Sequence, residues 1–299
     1  MSHASNHVER SSDVKLIAEI GCNHMGNASI AAEMVQTAAV FCQVDVIKFQ
    51  KRRPREALTE ATFRAPHPVP ENAFGSTYGE HREFLELDVQ QHAELKGQIE
   101  SLGAEYMTSV WDCASACEIV GLKPRAIKVP SAKNEDRRLL DYLIAEFPGE
   151  IHVSVGMISR RHELQLVELF SEKNRARDLV IYACTSGYPV PDDDVCLLEI
   201  SRLIGDYAAD VAAIGFSGHH NGIALDIAAV TLGAKWIERH FTLNRTWKGT
   251  DHAASLEADG MRRLRRDLTS ALSALRHKPL DRLLEIEQGQ YEKLKQGRI

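Results

Sequence analysis

Eight short runs rich in β-branched and other apolar residues punctuate the chain, and most are separated by a stretch with helical periodicity. They are VKLIAEIG (14–21), VDVIKFQ (44–50), AEYMTSV (104–110), AIKVPS (126–131), IHVSVGM (151–157), DLVIYACTS (178–186), AAIGFSGH (212–219) and KWIERHF (235–241). Between them, SIAAEMVQTAAVF after the first and RRHELQLVELFSEK after the fifth bring apolar residues back at helical spacing, as one buried face requires. Strands that are apolar almost throughout and alternate with helices imply a parallel sheet covered by helices. Eight such units predict an α/β fold, a (β/α)8 TIM barrel in a single domain. An open doubly wound sheet is the structural alternative, but no G-x-G-x-x-G follows the first run.

The remainder divides around that barrel. Residues 1–12 are polar, lack the apolar stretch of a signal peptide, and are read as a flexible N-terminal arm. Residues 13–276 make the barrel, and 277–299 a charged C-terminal tail. Segment 51–80, after the second strand, holds four of the ten prolines and no periodicity, and one helix is expected around His81–Leu102. A loop that long in a compact domain is functional or disordered, and this one leaves the face of a barrel where active sites form. The last helix is expected in SLEADGMRRLRRDLTSALSALRH, with Ser255 as its N-cap.

Composition narrows the function. A net charge of −6 argues against nucleic acid as the main partner, and no apolar run reaches the ~20 residues of a membrane span. Six cysteines without regular spacing do not form a disulfide framework, and Cys113 and Cys117 have no second pair with which to hold zinc. A cytoplasmic protein with reduced cysteines is expected.

In a barrel the C-terminal ends of the strands share one mouth. Those positions here are Glu19, Lys48 with Gln50, Thr108, Lys128 with Ser131, Ser154, Thr185 with Ser186, Ser217 with His219, and His240. Every strand contributes a polar group. Lys48 and Lys128 lie inside apolar runs, where an unpaired ammonium is costly, and two of them together suit a phosphate or carboxylate. His219 and His240, at adjacent strand ends with Glu19 opposite and Asp251 shortly after, have the makings of a divalent-metal site with open positions. A metal there would polarise a carbonyl oxygen, and Glu19 could move protons or activate water. The set suits carbon–carbon bond formation between an enol phosphate and an aldehyde.

The motifs IAEIGCNHMGN, VIKFQ, IKVPS, VSVGM, YACTSGYPVP, IGFSGHHNGIALDIAAVTLGA, IERHFTL and GTDHAASLE resemble, in order, those of the sialic acid (N-acetylneuraminate) synthase family, from about Lys15 to Ala274. The resemblance implies a (β/α)8 barrel that condenses phosphoenolpyruvate with an aldose, N-acetylmannosamine or a related amino sugar. The products would be a nine-carbon 2-keto-3-deoxy acid and phosphate. It implies a divalent metal, Mn2+ first with Co2+, Zn2+, Fe2+ or Mg2+ as alternatives, held by His219 and His240, and a homodimer. Lys48, Thr108, Lys128, Ser131, Ser154, Ser186 and Ser217 would line the phosphoenolpyruvate site. Glu19, Gln50, Asn72, Tyr188 and Asp251 would face the sugar.

Three departures stand out. SAK follows the second active-site lysine where the family has SGE, so Lys133 stands where a glutamate is expected, and it is expected to help bind an anionic acceptor. SGH replaces SDH, leaving Gly218 for an aspartate. The residues beyond the barrel are too few for the C-terminal antifreeze-like domain of many members, so the loop 51–79 or a different acceptor is expected to complete the site. Two other readings remain: the same chemistry on a pentose, hexose or phosphorylated sugar, and a non-catalytic barrel that binds a sugar phosphate.

Overall fold

A computed structural model describes residues 14–295, so the expected arm at 1–12 lies outside the described residues. Eight parallel strands close in sequence order into one barrel. They are β1 (Lys15–Gly21), β2 (Val46–Lys51), β3 (Glu105–Val110), β4 (Ala126–Val129), β5 (Glu150–Ser154), β6 (Leu179–Cys184), β7 (Ala213–Gly218) and β8 (Trp236–His240). Each lies within a residue or three of the expected run, and β1 closes the ring by pairing with β8, Glu19 opposite His240.

Alternation along the strands divides the molecule into an inside and an outside. Ile17, Val46, Met107, Ala126, Val180, Tyr182 and Trp236 form an apolar plug within the barrel. Two residues further along the same strands, on the same face, come Glu19, Lys48, Ser109, Lys128, Cys184 and Glu238, the floor of the mouth. The opposite parity, including Phe49, Ile127, Val153, Ile181 and Phe216, packs outward against the helices. Gly215 lets the Tyr182 ring into the plug, because a Cβ there would stand 2.7 Å from that ring and 3.0 Å from the Trp236 Cβ.

The segment after β2 is more ordered than expected. It holds short helices at Pro54–Ala57 and Glu60–Arg64 and a 3-10 turn at Pro70–Asn72. The one helix expected around His81–Leu102 is two, Tyr78–Leu85 and Val89–Ser101, each opened by a capping box, at Thr77 and at Asp88. The final barrel helix runs Ala258–Ala274, and Glu257 rather than Ser255 is its N-cap. The Ser255 hydroxyl instead donates to the Asp251 carbonyl and accepts from Asn23 Nδ2. In the tail, Glu285–Lys295 is helical with no buried side chain. No described helix is long and apolar enough to cross a membrane, and all six cysteines are free.

Two histidines outside the mouth set an acid limit on stability. Burial lowers His24 to about 4 and His92 to about 3, so both stay neutral in the folded chain. Above pH 6.5 neither state protonates them and nothing is lost. As pH falls below 6.5 the unfolded chain takes up protons that the folded chain refuses, so stability falls until the folded values are reached. At pH 5 the two together cost about 4 kcal/mol. Urea midpoints measured from pH 8 to 5 should drop steeply below 6.5, and His92→Gln should flatten that slope.

Candidate active site

Four fully buried charges form the floor of the mouth. Lys48 Nζ lies 2.7 Å from Glu19 Oε2 and 3.6 Å from Glu238 Oε2, and donates to Ser109 Oγ at 2.7 Å. Lys128 Nζ donates to both Glu238 oxygens at 2.7 Å and sits 4.0 Å above the Tyr182 ring. Ser217 Oγ donates to Glu238 Oε1 at 3.0 Å, and Gln50 Nε2 to Glu19 Oε1 at 2.8 Å. Two ammonium groups thus face two carboxylates, which is what lets the barrel hold them away from water.

The two carboxylates differ. Burial opposes ionisation of Glu238, but Lys128 and Lys48 outweigh it and hold the carboxyl well below its ordinary range. Burial raises Glu19 to about 7, with Lys48 opposing and Glu238 adding to the rise. Glu19 Oε2 is held 2.7 Å from the Lys48 ammonium, and Oε1 accepts from Gln50. The carboxyl has a proton affinity matched to neutral solution. Burial, together with Lys48, lowers Lys128 below the usual lysine value despite Glu238.

His219 and His240 stand above this floor, ring centroids 5.4 Å apart, with the Tyr188 ring 4.4 Å from the first and 5.8 Å from the second. His219 Nδ1 lies 3.0 Å from the Thr185 carbonyl, which can only accept, so that nitrogen carries a proton and Nε2 has a lone pair to offer in the neutral ring. Burial favours that neutral form, but Cys184 and the Thr185 carbonyl outweigh it and raise the ring's pKa. His240 Nδ1 is buried without a hydrogen-bond partner among the described residues, 3.9 Å from Asp251 Oδ2. Burial, His219 and Lys48 lower His240 to about 4, so the ring is neutral and able to ligate. No group of three or more His, Cys, Asp or Glu that could hold a metal alone exists among the described residues. The donors fit a cation held by two imidazoles, with its other positions left to substrate and water.

The cavity over the floor is about 250 Å³. Of the expected residues, Glu19, Lys48, Gln50, Lys128, Ser131, Ser154, Ser186, Tyr188, Ser217, His219 and His240 line it together. Four do not. Thr108 points outward, donating to Tyr106 OH at 2.6 Å, and its neighbour Ser109 has the inward parity instead. Asn72 accepts from the Gly249 backbone at 3.3 Å outside the cavity. Asp251 lies outside it, with Oδ2 3.9 Å from His240 Nδ1 and Oδ1 accepting from the Thr250 hydroxyl at 2.9 Å. Lys133 lies on a 3-10 turn after β4 and lines a separate cavity.

Glu238, Ser109, Trp111 and Cys184 line the mouth but were not singled out from the sequence. Counting back two residues from His240 would have found Glu238. Gly156 closes one wall, since a Cβ there would stand 2.7 Å from both Ser131 Oγ and Ser186 Oγ and fill the space between the two hydroxyls. At Gly218 a side chain would press on Phe216 at 2.8 Å and His220 at 2.9 Å, so the aspartate of the usual motif has no room here.

The NeuB family model matches residues 34–279. The chain belongs to the NeuB family. The mouse and human N-acetylneuraminate-9-phosphate synthases are 34% and 35% identical to this NeuB-family chain over 282 residues, covering 93% of it and 76% of each relative. The N,N'-diacetyllegionaminic acid synthase of Campylobacter jejuni is 30% identical over 252 residues, 83% of this chain and 73% of that one. The crystal structure of the sialic acid synthetase of Leptospira borgpetersenii superposes with a TM-score of 0.79 at 24% identity, covering 95% of this chain and 93% of that one. That last likeness bears on the fold.

Proposed function

We propose that this NeuB-family chain joins phosphoenolpyruvate to an aldose of the N-acetylmannosamine type, giving a 2-keto-3-deoxy nonulosonic acid and phosphate. The observation that carries the reading is the convergence of Lys48, Lys128, Glu19 and the two histidines in one cavity, in a family whose named relatives make sialic and legionaminic acids. Lys128 and the hydroxyls of Ser131, Ser154, Ser186 and Ser217 supply donors for the phosphate and carboxylate of phosphoenolpyruvate. Lys48 neutralises the carboxylate end and keeps Glu19 from taking up its proton too early.

A divalent cation, Mn2+ in the first instance, held by His219 and His240 would supply Lewis-acid polarisation of the aldehyde oxygen. The Thr185 carbonyl, taken up by His219 Nδ1, would leave Nε2 as the ligating nitrogen. Tyr188, beside both rings, screens them from bulk water. In the reaction, C3 of the enol phosphate attacks the aldehyde carbon and C2 becomes electron-poor. Glu19 Oε2 takes a proton from the water that adds to C2, and the tetrahedral carbon expels phosphate as the ketone forms. The same proposal includes a homodimer in the cytoplasm.

The test is turnover with phosphoenolpyruvate, Mn2+ and a panel of aldoses that includes N-acetylmannosamine. The expected product has the mass of the aldose plus phosphoenolpyruvate plus water minus phosphoric acid. Its formation should stop with a chelator and in His219→Ala. Phosphate release without any aldose, or none with the whole panel, overturns the reading.

A further inference from the structure

His219 and His240, the proposed metal ligands, are held differently by the sheet. His240 is the last residue of β8, and it pairs with Glu19 of β1. His219 stands one residue past β7. The pairing of β7 with β8 ends at Gly218 and Arg239, so neither His219 nor His220 has a register partner on β8. Toward β6, His219 is held by the Thr185 carbonyl at Nδ1 and by the Val190 amide, which donates to its carbonyl at 3.0 Å. Toward β8, what reaches this segment is the side chain of Arg239. We propose that Arg239, with Asp226 as its counterion, is a positioning residue for the cation. It staples the chain after His219 to the strand that carries His240, and so fixes the separation of the two imidazoles. The inference rests on the reading of those imidazoles as the metal ligands.

The guanidinium is fully buried on the outer face of the barrel. Nη2 donates to the His220 carbonyl at 2.6 Å. Nη1 shares its hydrogens among Asp226 Oδ2 at 2.5 Å, the Gly222 carbonyl at 2.8 Å and His220 Nε2 at 3.0 Å. One side chain, from the position directly before His240, thus grips two of the three residues directly after His219. A guanidinium only donates, so His220 Nε2 accepts. The His220 ring also stacks on Phe216 of β7, with centroids 5.9 Å apart. Asp226, in the first turn of the helix Ala224–Thr231, is fully buried as well.

Stability alone does not call for this cluster. Desolvation offsets most of what a buried ion pair gains, and apolar side chains of similar volume often serve as well or better. Arg239 Nε, Asp226 Oδ1 and His220 Nδ1 have no hydrogen-bond partner among the described residues, which makes the cluster costlier still. What apolar groups cannot do is fix a backbone by direction, whereas the planar fork takes two carbonyls and a carboxylate at set angles. A cation shared by two rings whose centroids are 5.4 Å apart needs that precision at both ends.

The test measures Mn2+ binding from the electron paramagnetic resonance signal of the free ion, at saturating phosphoenolpyruvate, with urea midpoints on the same samples. Arg239→Met should weaken Mn2+ binding about 10–100-fold, the usual effect of losing a group that orients a metal ligand, and should lower the midpoint. The double variant Arg239→Met/Asp226→Leu removes both ions, so it should recover the midpoint without recovering Mn2+ affinity. A purely structural role does not produce that split. Wild-type Mn2+ affinity in the double variant, or affinity that returns together with the midpoint, overturns the proposal and leaves the two-histidine site standing. His219→Ala should abolish Mn2+ binding; if it does not, the two-histidine site is wrong and the staple falls with it. The expected split without phosphate release from any aldose would sink the condensation reading and leave the staple in place.

Discussion

Glu19→Gln should lower kcat by about 10²–10⁴-fold, the usual worth of a positioned general base. Glutamine keeps the size and the hydrogen bond from Gln50 but cannot accept a proton. The fold should survive, because Lys48 retains Glu238 at 3.6 Å. The pH profile carries the more specific signature. With Glu19 near 7 in the free protein, protonation below that value removes the base, so kcat/KM should fall as pH drops through 7 and approach tenfold per unit in more acid solution. In Glu19→Gln the rate should be low throughout and that limb should vanish. A variant that kept both the rate and the limb would remove Glu19 from the mechanism.

The second large effect is on stability. Glu238→Gln takes away the carboxylate that both oxygens of Glu238 offer to Lys128 and that Lys48 and Ser217 share. An ammonium left buried without its partner costs about 3–5 kcal/mol, a large share of the 5–15 kcal/mol that holds a typical domain folded. Urea denaturation should show that loss, and the double variant Glu238→Gln/Lys128→Met should recover most of it by removing both ions. Protonation does the same job more gently. Because the folded chain holds Glu238 well below its ordinary 4.5, its contribution is complete above 4.5 and is lost as pH falls toward the folded value. A loss under about 1 kcal/mol in the single variant would mean that water reaches the pair.

What the sequence made legible follows from parity and length. The strands were readable because a parallel barrel buries both faces, and runs such as VDVIKFQ carry that requirement openly. The lysines were readable because each stands alone inside an apolar run, and the histidines because each comes at or just past the end of its strand. Where two polar residues stand together, period-two alternation decides which one faces in, and the run alone does not fix the register. In AEYMTSV the expected inward residue is Thr108, and the one that lines the mouth is its neighbour Ser109. WIERH hid Glu238 beside Arg239, whose side chain turns outward to Asp226 at 2.5 Å and to the His220 carbonyl at 2.6 Å. The loop after β2 was readable only as long, because helices of four and five residues are too short to show a period. Lys133 was flagged by a departure in charge, but its place on a turn, facing a second cavity with Arg52 and Arg82, depends on contacts far apart in sequence.

The central claim is that one cavity activates both the aldehyde and the enol phosphate, with water adding at C2. The most direct measurement uses phosphoenolpyruvate carrying 18O at the oxygen that bridges C2 and phosphorus, with and without the aldose. The expected result is one phosphate released per aldose consumed, with the label in that phosphate. Label retained in the keto acid, or release that ignores the aldose, would contradict the account.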